Sequence, residues 1–79
     1  MKLTIYFFDG PSNDVDSDPV GVEISATFRD VANARSVAFE AAELPAIRTQ
    51  VRSLVIKSQD GPVVERWQRT KDGWAPEAG

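Results

Sequence analysis

Residues 30–43, DVANARSVAFEAAE, decide what kind of fold this chain adopts. Val31, Ala34, Ala38, Ala41 and Ala42 recur at helical spacing along one stripe, and Val37 and Leu44 widen it. Alanine dominates that stripe, so the helix can lie very close to whatever it covers. Its start has two readings. Thr27-Phe-Arg-Asp30 fits a capping box with an acid in the last position, or Asp30 is itself the cap. Pro45 disfavours helical geometry at Leu44, which ends the helix near Glu43.

Upstream, Lys2–Phe8 alternates as a strand does. Leu3, Ile5 and Phe7 face one way, and Lys2, Thr4, Tyr6 and Phe8 the other. The second face turns apolar at Tyr6 and Phe8, which predicts a strand end covered on both sides. Asp9-Gly-Pro11 stops it. Val20–Ile24 reads as a short second strand antiparallel to the first, with Gly21 marking a weak point or a bulge. Downstream, Val51–Ser58 and Val63–Arg69 read as a hairpin around Gln59-Asp-Gly-Pro62, where Asp-Gly is a strong short-range turn signal. Residues 70–79, with Gly73, Pro76 and Gly79, read as a frayed, flexible tail. The predicted order is β-β-α-β-β, an α+β domain over residues 1–69 in which one helix packs on one face of an antiparallel sheet.

Composition limits the chemistry. The chain of 79 residues makes one small domain that buries about 60–65% of its unfolded surface, a marginal core. It has no cysteine and no histidine, which removes disulfides and the usual ligands of borderline metals. A metal, if bound, must be a hard cation held by oxygen. The first apolar run is too short for a membrane span or a signal-peptide core, so the expected setting is cytoplasmic and membrane-free. Charge is uneven: residues 1–45 carry three basic and eight acidic side chains, whereas residues 46–72 carry six basic and three acidic. The overall charge of −3 disfavours nucleic acid as a partner, and the basic second half keeps it open.

Tyr6-Phe-Phe-Asp9, Asp18-x-x-Gly-Val-Glu-Ile24, Asp30-Val-Ala-Asn-Ala-Arg35 and the final Asp-Gly hairpin resemble a family of short, uncharacterised bacterial proteins. Its members begin with a Y-F-F-D strand, continue through D-x-x-G-x-E-L and an A-x-x-A-R helix, and end in a strand–D-G–strand hairpin. The likeness covers roughly residues 5 to 66; Ser25 to Arg29 and the Trp-containing tail depart from it. It implies the fold and a bacterial source, and no activity.

Two constellations qualify as sites. Asp14, Asp16 and Asp18 fill positions 1, 3 and 5 of an EF-hand calcium loop, but Pro19 stands where the turn glycine belongs and Ser25 where the bidentate glutamate belongs. A true EF-hand is therefore rejected, leaving a weak calcium candidate, with Asp9 or Glu23 as extra ligands, against a polar hairpin loop that caps its own backbone. The second constellation is Arg48, Arg52, Lys57, Arg66, Trp67, Arg69, Lys71 and Trp74, a basic and aromatic set suited to a protein partner, a second copy of the chain or a single-stranded nucleic acid. The alternative puts Trp67 in the core and the charges on a solvated face. Arg35, beside the alanine stripe, is expected to pair with an acid at the sheet edge, such as Asp9 or Glu23. Without a phosphate loop, a nucleophile elbow or a paired-carboxylate motif, the chain reads as a non-catalytic interaction module with no cofactor.

Overall fold

Alternation in the first strand becomes a two-faced sheet. In the computed structural model, which describes residues 1–10 and 19–76, β1 (Lys2–Phe8) buries Leu3, Ile5 and Phe7 completely or nearly so. It is followed by β2 (Pro19–Thr27), α1 (Val31–Ala42), β3 (Ser53–Ser58), β4 (Val63–Thr70) and β5 (Gly73–Pro76). The strands form one sheet in the order β2-β1-β3-β4-β5, and every neighbouring pair is antiparallel. Because β2 and β3 both run against β1 and flank it, they point the same way. The helix between them carries the chain across β1. The fold is α+β, with the expected β-β-α-β-β order extended by a fifth strand.

The alanine stripe does what its side chains permit. Ala34, Ala38 and Ala42 are fully buried in one cluster with Leu3, Ile5 and Phe7 of β1 and Leu54 and Ile56 of β3. With only a methyl group at each contact, the helix axis sits close to the sheet and the larger residues of the strands fill the gap. Val31, Val37 and Ala41 flank this seat, whereas Leu44, past the helix end, is 55 % exposed. Phe28, Ile47 and Val51, from the segments before and after the helix, close the ends of the core.

Of the two readings of the helix start, Asp30 is the cap. Its carboxylate accepts from the Asn33 backbone N–H at 2.8 Å, and Thr27 is the last residue of β2. The helix stops at Ala42 with Glu43 as its C-cap, where Pro45 predicts. At the other hairpin, Gly61 adopts φ +112°, a backbone conformation open to glycine and unfavourable for side chains, so Asp60-Gly61 makes the predicted turn.

Residues 70–76 correct the expectation of a flexible tail. Thr70 belongs to β4, Gly73 takes φ +119° to turn the chain, and Gly73–Pro76 pairs with Trp67–Thr70. Local turn chemistry helps, since the Thr70 hydroxyl donates to the Gly73 carbonyl at 2.7 Å and accepts from the Asp72 N–H at 3.2 Å. The strand is held by Trp74, whose ring stacks on Phe39 of the helix with centroids 5.6 Å apart. Residues 77–79 lie outside the described part of the chain.

Candidate functional site

Strand register sorts the predicted basic and aromatic set onto different surfaces. Leu54 faces Trp67 across β3 and β4, Ile56 faces Glu65, and Arg69 faces Trp74 across β4 and β5. Leu54 and Ile56 belong to the helix-covered face, so Glu65, Trp67, Arg69 and Trp74 lie on that face too. Val55 faces Tyr6 and Arg66, and Lys57 faces Thr4 and Val63, on the opposite side. Arg48 and Arg52 stand at one end of the molecule, where with Val51 and Arg69 they border a shallow hollow of about 420 Å³. Lys71 is exposed in the β4–β5 turn. The eight residues are therefore not one surface.

The members on the helix side fasten the fold together. Trp67 meets Phe39 edge-on with centroids 5.1 Å apart, and Phe39 lies between it and Trp74. Arg35 reaches across from the helix to Glu65 of β4, not to Asp9 or Glu23, with Nε donating at 2.9 Å in a two-pronged contact. Its guanidinium also sits 5.5 Å from the Trp67 ring centre, and the Trp67 indole N–H donates to Glu65 at 2.8 Å. Hydrogen bonds from Arg35 outweigh burial and hold the Glu65 carboxyl below the usual carboxylate range, with Trp67 adding to the effect. Glu65 in return raises Arg35.

Arg69 makes the second clasp. Its Nε donates to the Val51 carbonyl at 3.0 Å, Nη2 to the Ala42 carbonyl at 3.3 Å and Nη1 to Glu43 at 2.8 Å. It thus satisfies a carbonyl at the helix C-terminus that no helical N–H can reach, and it lies 4.7 Å from the Trp74 ring centre. The hydrogen bond from Arg69 lowers the Glu43 carboxyl, and the nearby Trp74 indole assists. That indole N–H is buried and points toward Glu43 without completing a hydrogen bond.

Among the described residues no helix lies on the other side of the sheet. Cross-strand rows there run Glu23, Tyr6, Val55, Arg66 and then Ser25, Thr4, Lys57, Val63. Tyr6, Phe8, Val55, Lys57, Val63 and Arg66 line one hollow of about 360 Å³. Val63 is 39 % exposed, and Tyr6 and Phe8 are half-buried. The Lys57 ammonium lies 5.7 Å from the Tyr6 ring centre, and the Thr4 and Ser25 hydroxyls are 3.0 Å apart. A register shift between Ile56 and Lys57 inserts Val64 into β4, so Val63 joins Lys57 on this side.

Tyr6 and Phe8 line this hollow and are absent from the basic and aromatic set predicted from the sequence. Their alternation marked them as a second apolar face and suggested a cover on both sides. Among the described residues the one helix lies on the opposite face, yet the strand end is partly covered here too: Ser53, opposite Phe8, is fully buried with its hydroxyl donating to the Gly10 carbonyl, and Val55, opposite Tyr6, is buried. Asp14, Asp16 and Asp18, the weak calcium candidate, lie outside the described residues, and among the described residues no group of three or more acidic side chains could hold a metal ion. No helix among them is long and apolar enough to cross a membrane. A scan against protein-family models and searches of curated proteins and of solved structures found no match to this chain.

Proposed function

We propose that this chain is a small non-catalytic binding module of the bacterial cytoplasm, and that its working surface is the helix-free face of the sheet. One observation carries the reading: Tyr6, Phe8, Val55 and Val63 gather with Lys57 and Arg66 around one open hollow. A sheet face meant only for water alternates to polar residues, whereas this one keeps an apolar centre with a charged rim, the anatomy of a binding patch. The non-catalytic part is supported by the shifted ionisable groups. Arg35, Glu65 and Glu43 are all engaged in clasps that tie the helix to β4, away from the open hollow.

Capture from extracts of the native host tests the reading. Wild-type protein is expected to retain a partner that the Val63→Lys variant loses while keeping the same fold by circular dichroism. Equal retention by both proteins contradicts it. A self-associating form is favoured by one further observation. The nine-residue β2 lies at the sheet edge with Val22 41 % exposed, a surface on which a second copy can add strands. Sedimentation equilibrium with wild-type protein and a Val22→Pro variant checks it: a dimer lost in the variant is expected, and a monomer at every concentration removes the self-associating form.

A further inference from the structure

Resting on the reading that the helix-free face binds, we infer that its ligand is a single-stranded nucleic acid, with bases stacked on Tyr6 and Phe8 and phosphates drawn to Lys57 and Arg66. Among the described strand residues, register places Lys2, Lys57 and Arg66 on this face against one acid, Glu23, so these strands present net positive charge there in a chain of net charge −3. The global charge is therefore a poor guide to what this face attracts. Two copies brought together through it would oppose like charges, which disfavours a second copy and favours an anion.

Ring placement then separates nucleic acid from other anions. Tyr6 and Phe8 are alternate residues of β1, an interior strand, so their side chains share a face about 6–7 Å apart. Each ring can take its own base, with the nucleic-acid backbone extended between them. Lys57, 5.7 Å from the Tyr6 ring, and Arg66, one strand further, flank the aromatic line on the side of β3 and β4. Aromatic rings on interior strands with basic residues beside them suit unpaired bases, which expose a π-face whatever their sequence. The Thr4 and Ser25 hydroxyls supply polar contacts on the other flank. An acidic peptide would use the basic residues but would gain little from the paired rings.

The test is an amide chemical-shift titration of the full chain with short mixed-sequence single-stranded RNA and DNA at low salt. Shifts are expected at Tyr6, Phe8, Lys57 and Arg66 and not at the helix. Tyr6→Leu and Phe8→Leu keep apolar bulk and remove the stacking face, and each is expected to weaken binding about tenfold or more. Should either variant fold poorly, Lys57→Gln and Arg66→Gln give an independent reading, because each is expected to lower the slope of log K against log salt by about 0.7. The inference is overturned if neither oligonucleotide moves these amides. It is also overturned if polyglutamate binds as well and the leucine variants bind normally, which assigns the face to acidic proteins. A response of the Tyr6, Phe8, Lys57 and Arg66 amides to protein concentration that persists in Val22→Pro, with none to oligonucleotide, overturns it in favour of a second copy on this face. The capture experiment above is scored separately, so failure with oligonucleotides is distinguishable from failure of the binding-module reading.

Discussion

Phe7 and Phe8 are neighbours in sequence and opposites in circumstance. Phe7 points under the helix and is fully buried, whereas Phe8 points to the helix-free side and is half-buried. Around Phe7 the neighbours are alanine, leucine and isoleucine, closed at the β4 side by the Arg35–Glu65 and Arg69–Glu43 clasps. Around Phe8 stand tyrosine, valine, lysine and arginine, bordering open space. The two faces of one sheet thus divide the work. One supplies the packing that a small domain needs, and the other leaves Val63 exposed and Tyr6 and Phe8 partly so, at a cost that makes sense if a ligand covers them.

The largest effect should separate these two phenylalanines. Phe7→Ala removes a fully buried ring and is expected to cost about 3–5 kcal/mol. At roughly 0.05–0.15 kcal/mol per residue, that is much of the stability of a domain of this size. Phe8→Ala, starting only half-buried, should cost less. Urea denaturation of both variants checks the contrast, and equal losses would break it. Next, Ala38→Leu drives a larger side chain into the tight helix–sheet seat and should cost about 1–3 kcal/mol. The same substitution at exposed Ala32 should be nearly neutral in the same assay.

Acid should act on the covered face. Glu65 is held below its ordinary pKa by Arg35 in the folded state, so its contribution is fully present above the unfolded value. That contribution is lost as pH falls through the lower, folded one. Stability measured from neutral pH down past roughly pH 4 should decline in wild type. It should decline less steeply in Glu65→Gln; identical pH profiles would show that the clasp does not contribute. The smallest effect belongs to the open face: Val63→Ser should change stability by no more than about 0.5 kcal/mol, while weakening whatever binding the hollow supports.

Much of the covered face was legible because its signals are local and periodic. Leu3, Ile5 and Phe7 alternate, the alanine stripe repeats at helical spacing, and Asp30, Pro45 and Asp60-Gly61 mark boundaries by their own backbone chemistry. Gly73–Pro76 was not, since four residues bounded by glycine and proline carry too little pattern to declare a strand. Its stability comes from Trp74 meeting Phe39, which lies far away in sequence. The pairings of Arg35 with Glu65 and Arg69 with Glu43 span 30 and 26 residues and depend on the register of strands around the helix, which local spacing does not encode. The candidate binding set failed as a unit for a related reason. Adjacent residues such as Arg66 and Trp67 point to opposite faces, so a basic and aromatic run in sequence is divided once it becomes a strand.

The division of labour between the faces is tested most directly by a variant carrying Tyr6→Leu, Phe8→Leu, Lys57→Gln and Arg66→Gln together, measured for urea stability and for binding to single-stranded oligonucleotides beside the wild type. The account predicts a folded protein of nearly wild-type midpoint that no longer binds. A variant that retains binding, or one that unfolds as Phe7→Ala does, would contradict it.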